Sequence, residues 1–144
     1  MKNEKENSLT LKNDIKLVPV LNEFQKRTYE KMGIGEELSR KIRLAVEEAV
    51  VNVMEYAYPA GTEGEVQISW MTDYCKLKVV IVDSGIPFNP TTKERTDTTL
   101  PVEERPIGGL GILLMSDIMD KVSYERIKGK NYLTLEKKVI ERND

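Results

Sequence analysis

The chain has 144 residues, 40% of them hydrophobic, with 22 basic against 24 acidic side chains and a formal net charge of -2. That length suits one domain with its own core, so residues 1–144 are read as a single unit. The near-balance of charge gives no support to a nucleic-acid reader or a polybasic membrane binder, both of which carry a basic excess. No direct contact with nucleic acid or membrane is therefore expected.

Histidine is absent and cysteine occurs once, as Cys75. The first fact excludes Ser-His-Asp and Cys-His hydrolases, histidine-ligated zinc and phosphorylation of a histidine within this chain. The second excludes an internal disulfide, and a lone thiol suits a reducing compartment. The opening MKNEKENSLT lacks the apolar stretch of a signal peptide. No apolar run approaches the roughly 20 residues of a membrane span. A cytoplasmic location is expected.

Ser8 to Lys12 reads as a short strand. Pro19 to Met32 reads as a helix, with proline suited to its first turn and Gly33 and Gly35 ending it. Glu36 to Tyr58 reads as one long helix, stopped before Pro59 and Gly61. At about 100° per residue, Ile42, Ala45, Ala49, Val53 and Tyr56 fall on one buried stripe. Glu65 to Thr72 and Lys76 to Asp83 alternate as strands around a short turn. The stretch from Pro87 to Pro106 holds four of the six prolines and five threonines without apolar periodicity, a length at which loops are usually functional. Gly109 to Met119 reads as a helix. Val122 to Ile127 and Tyr132 to Val139 then form a hairpin across Lys128–Lys130. Hairpins packed on helices imply an α+β, two-layer α/β sandwich, a mixed and mostly antiparallel sheet covered by helices on one face.

Three segments carry candidate chemistry. Glu48 and Asn52 stand four apart at the edge of the buried stripe, on one side of the helix. A carboxylate there can serve as a general base, and an amide oxygen one turn on can ligate a hard cation such as Mg2+. Alone, the pair is also what a solvated helix surface shows. In VVIVDSGIPF, an apolar strand ends at Asp83. A carboxylate there can accept from the exocyclic amine of adenine, and Gly85 would let the backbone approach the ring. Alone, this is also a common turn. In PIGGLGILLMSDIMD, Gly108, Gly109 and Gly111 open an apolar helix whose first N–H groups favour phosphate. The spacing is neither a P-loop nor a strand-coupled GxGxxG.

The order of the three segments adds weight. EEAVVNVMEYAYP, DSGIPF and GGLGILLMSDIMD resemble, in sequence, the N box and two glycine boxes of the anti-sigma factor serine-protein kinases. These belong to the GHKL, or Bergerat-fold (histidine-kinase-like), ATPases. The resemblance covers roughly Leu38 to Val139. It implies that Glu48 is the catalytic base and that Asn52 holds Mg2+ and the nucleotide phosphates. It implies that Asp83 and Gly85 bind adenine, that Gly109 and Gly111 contact phosphate, and that residues 89–107 form a lid over ATP or ADP. Family members phosphorylate a serine of a STAS-type anti-sigma antagonist, many sequester a sigma factor, and many are homodimers. Two departures stand out. Gly108 occupies a position often basic in the family, which shifts phosphate neutralisation toward Arg105 or Lys93. Tyr56 stands where a histidine is common. A sensor histidine kinase shares the fold but usually lacks the base at Glu48. The other open reading is a nucleotide-binding interaction module without turnover.

Overall fold

A computed structural model describes residues 7–73, 75–92 and 115–139. It has five strands: β1 (Ser8–Lys12), β2 (Glu65–Asp73), β3 (Lys76–Asp83), β4 (Lys121–Ile127) and β5 (Lys130–Lys138). They form one sheet in the order β1-β2-β3-β5-β4, and every pairing is antiparallel. Two main helices, α1 (Val18–Lys31) and α2 (Glu36–Asn52), follow β1.

Period-two patterning decides which face the helices cover. In β3, Leu77, Val79, Ile81 and Asp83 are buried, whereas the alternate residues are half-buried or exposed. In β5 the buried set is Asn131, Leu133 and Leu135. The apolar members of these sets meet Ile42, Ala45, Val46, Ala49 and Val50 of α2 and Leu21 and Tyr29 of α1 in one core. A fully buried side chain such as Ile42 contributes about 1.5–3 kcal/mol. At the sheet–helix seam Trp70 Nε1 donates to Tyr29 Oη at 3.0 Å, and Tyr29 Oη donates to Gln25 Oε1 at 2.7 Å. Asn22 in turn donates to Glu47 Oε1 at 3.0 Å. Glu47 thus faces α1 instead of open solvent.

Helix ends follow local chemistry. Pro19 lies in the first turn of α1. At its other end Gly33 takes φ 78; Gly33 N donates to Glu30 O and Ile34 N to Tyr29 O, a glycine-dependent C-terminal motif. A short 3-10 turn, Ile15–Leu17, precedes α1 and is capped by Asp14; the apolar periodicity carried no sign of it. Helix α2 starts at Gly35 without a side-chain cap, and Glu36 and Glu37 in its first turn complement the helix dipole.

The long helix departs from expectation at its end. Residues Val53–Ala57 form a π-helix. Val53, Met54, Ala57 and Tyr58 all enter the core. Tyr56, expected on the buried stripe, is only half-buried and lies against Phe88, with ring centroids 5.7 Å apart. Of the expected helix from Gly109 to Met119, residues 115–118 are helical, and 109–114 lie outside the described residues. The expected lid, 89–107, is described only at its start, where Pro90–Thr92 form a 3-10 turn.

Candidate nucleotide site

The site is built where α2 ends and β3 ends. Asn52 is the last residue of α2 and is buried. Its Nδ2 donates to the Glu48 carbonyl at 2.9 Å, which folds the side chain back along the helix. Its Oδ1 is buried and has no hydrogen-bond partner among the described residues. Glu48 is half-buried one turn earlier. Burial first, and the neighbouring Glu47 charge second, push its carboxyl above the usual value. No hydrogen bond or ion pair engages that carboxylate among the described residues. The Glu48 carboxylate therefore holds a proton more tightly than a free one.

Asp83 ends β3 and is 3% exposed. Its Oδ1 accepts from Gly85 N and from Asn131 Nδ2, both at 2.8 Å. Burial raises its carboxyl above the usual value, opposed by Asn131, the Gly85 N–H and Arg126. Its Oδ2 takes no hydrogen bond from the described residues.

The π-helix joins these two parts. Ile86 N donates to Ala57 O at 2.8 Å. Ser84 N donates to Tyr58 Oη at 3.0 Å, and that hydroxyl donates to Glu65 O at 2.7 Å. A Cβ on Gly85 would fall 2.1 Å from Ala57 O. Glycine is thus required at Gly85 because the turn abuts the π-helix backbone, a reason the sequence did not reveal. π-helical turns of this kind concentrate at functional sites.

The structure brings Glu48, Asn52, Asp83 and Gly85 into one continuous assembly. Arg105, Gly108, Gly109 and Gly111, with Lys93, lie outside the described residues. Asn131 and Arg126 were missed. Asn131 had a signal: period two places it on the face of Leu133 and Leu135, a polar residue among buried ones. Arg126 had none, since its role depends on strand register.

A hard cation fits what is present. Asn52 Oδ1 is an orphaned oxygen, and leaving such an atom buried costs about 1–3 kcal/mol. Among the described residues no group of three or more His, Cys, Asp or Glu could hold a metal by itself. An ion here would thus be held by one amide oxygen together with a ligand's own oxygens, as is usual for Mg2+ with nucleotides.

Comparison with known proteins gives the family and the fold. A family model described as "Histidine kinase-like ATPase domain" matches residues 11–137. A serine-protein kinase RsbW from Bacillus mycoides is 29% identical over 107 residues, 72% of this chain and 66% of that protein. The RsbW of Listeria monocytogenes is 30% identical over 94 residues, 62% of this chain and 60% of that protein. The chain thus spans less than two thirds of the length of these curated relatives. Among solved structures, the RsbU and RsbW domains of Rv1364c from Mycobacterium tuberculosis superpose with a TM-score of 0.64 at 12% identity, over 92% of this chain and 32% of that one. The catalytic domain of histidine kinase ThkA does so with a TM-score of 0.54 at 20% identity, over 91% and 96%. These two likenesses establish the fold. Among the described residues no helix is long and apolar enough to cross a membrane.

Proposed function

Since the chain belongs to the histidine kinase-like ATPase domain family, we propose that it is an ATP-dependent serine-protein kinase of the anti-sigma type. Its substrate would be a serine on a STAS-type antagonist, and its output the release or capture of a sigma factor by partner switching. Homodimerisation would accompany that role. The names of the curated relatives support the serine-kinase reading. The observation that carries it is the orphaned Asn52 Oδ1 one helical turn from a Glu48 carboxylate that no described residue engages.

Each described residue then has a task. Asp83 accepts from the exocyclic amine of adenine, and a guanine carbonyl at that position would be repelled. Asn52 Oδ1 would hold Mg2+, which when bound would neutralise charge on the nucleotide phosphates. Glu48 takes the proton from the serine hydroxyl as its oxygen bonds to the γ-phosphorus and the bond to the ADP leaving oxygen breaks. In such transfers the protein contributes mainly positioning and charge stabilisation. Arg105 and the glycines Gly108, Gly109 and Gly111 would cradle the phosphates.

The test is Glu48→Gln with Mg·ATP and a purified STAS-type antagonist. Nucleotide affinity should be retained while phosphoprotein formation falls about 100- to 10,000-fold, the range for loss of a general base. Undiminished transfer would remove Glu48 from the mechanism. ADP binding by the native chain without any phosphoprotein would favour the interaction-module reading.

The same variant has a readout in stability. Because the folded-state carboxyl is raised, the folded protein holds this proton more tightly than the unfolded chain. The stability contributed is full below the ordinary carboxylate value and is lost as pH rises through the raised one. Glu48→Gln should therefore be more stable than the native chain at neutral pH, with the difference vanishing on acidification. Urea midpoints measured across that range check the sign.

A further inference from the structure

We propose that Arg126 and Asn131 are positioning residues that set the base preference of the site, by fixing the Asp83 carboxylate with one oxygen occupied and the other left without a donor among the described residues. The inference rests on the adenine-nucleotide reading above.

Strand register creates the arrangement. Arg126 pairs with Asn131 across β4 and β5, and Asn131 pairs with Asp83 across β5 and β3. The three side chains stand in one row on the helix-facing side, at the end of the sheet where β3 turns into Ser84–Gly85. Asn131 is 2% exposed, and its whole hydrogen-bonding capacity is used. Its Nδ2 donates to Asp83 Oδ1 and to Ile86 O, both at 2.8 Å. Its Oδ1 accepts from Tyr124 Oη and from Arg126 Nη1, the latter at 3.0 Å.

Arg126 decides which way the amide points. A guanidinium has only donors, so it can face only the amide oxygen. The NH2 end must then face Asp83. The flipped amide would set two donors against each other at Arg126 and two acceptors at Asp83. The same Arg126 nitrogen donates to Gly85 O at 2.9 Å, so it also holds the main chain beside the carboxylate.

The consequence for recognition is direct. With Oδ1 occupied by Asn131 and Gly85, the group left to meet a base is Oδ2, a pure acceptor when ionised. Adenine offers it an N–H. Hypoxanthine offers a carbonyl oxygen at the same ring position, and two acceptors repel. A carboxylate free to rotate, or one exchanging its partners with water, would discriminate less. Discrimination of this kind is strong only where the site's polar groups cannot rearrange.

The experiment is calorimetric titration of the full chain and its variants with Mg·ADP and Mg·IDP, the latter carrying hypoxanthine. Asn131→Leu should lower the ADP-to-IDP affinity ratio by about tenfold. Arg126→Ala should lower it severalfold, and Arg126→Lys, which keeps a donor, should restore most of the loss. A folded variant whose ratio is unchanged overturns the proposal, and so does equal weakening of both nucleotides, which a merely structural role would produce. Should Asn131→Leu fail to fold, Arg126→Ala decides alone, because Arg126 is exposed. A native chain that binds no ADP sinks the nucleotide reading and this inference together. A native chain that prefers ADP, with variants that keep the preference, sinks only the role of Arg126 and Asn131.

Discussion

At the Asp83 end of the site the protein supplies its own partners. Asn131 is fully bonded, Asp83 Oδ1 has two donors, and Tyr58 and Ala57 pin the turn from the other side. At the Asn52 end it withholds them. Asn52 Oδ1 has no partner, and Glu48 is raised by burial and by a like charge next door. The two ends are a few residues apart along the same backbone contacts, yet they are built in opposite senses. The satisfied end is ordered before ligand arrives, which lowers the ordering cost of binding a base. On the proposed reading, the unsatisfied end keeps ligating capacity free for charge that arrives with the nucleotide, and stability given up there would serve the function.

The comparison predicts that the two ends fail differently. Gly85→Ala attacks the ordered end. Its Cβ would collide with the Ala57 carbonyl, a backbone atom that cannot step aside as a side-chain tip could. The turn must move, breaking the Ile86–Ala57 bond and displacing Asp83. We expect a loss of about 3 kcal/mol, the upper range for overpacking, together with loss of adenine-nucleotide binding. Denaturant titration and calorimetry check both; a variant as stable as the native chain would mean that the turn is loose and the ordered end is not ordered.

Asn52→Leu attacks the open end, and the expected sign is the reverse. The change removes a buried oxygen without a partner and gives up one hydrogen bond, Nδ2 to Glu48 O. Replacing an unsatisfied polar group by an apolar one of similar shape should stabilise the free protein by about 1 kcal/mol. Mg2+-dependent nucleotide binding should nevertheless be lost. If the variant is instead destabilised in the absence of ligand, Asn52 Oδ1 is satisfied in solution and the contrast between the ends disappears.

How much of this was legible in the sequence differs between the two ends. Strand β1 matches its expected span and β3 its expected limits, because alternation and flanking turn residues are local signals. The placement of Glu48 and Asn52 on one side of α2 was legible for the same reason: four residues on a helix fix a shared side. The π-helix was not. EYAYP fits an ordinary helical turn, and what selects the wider one is tertiary, the Ala57–Ile86 and Tyr58–Ser84 bonds between segments about 26 to 29 residues apart. Tyr56, expected on the buried stripe, instead lies half-buried against Phe88. Arg126 is likewise unreadable, since it reaches Asp83 through two strand registers. The expected lid and phosphate glycines rest on order along the chain and on resemblance, and fall outside the described residues.

The β4–β5 turn offers the smallest and most discriminating change. The hairpin that carries Arg126 and Asn131 closes on Lys128 and Gly129, with φ values of 46 and 81, and Ile127 pairs directly with Lys130. Two consecutive positive φ values mark the turn type that favours Asn-Gly. Lysine pays a steric penalty in that region that asparagine largely escapes. Lys128→Asn should therefore stabilise the protein by about 0.5–1 kcal/mol, read as a rise in thermal midpoint. Its effect on ligand binding is the sharper test. If Arg126, Asn131 and Asp83 are already in register before nucleotide arrives, a firmer turn has nothing further to order, and ADP affinity stays the same. A rise in ADP affinity that tracks the gain in stability would show that the hairpin is only partly formed in the free protein. The base end would then be completed by its ligand, as the Asn52 end is, and the asymmetry between the two ends would be one of degree.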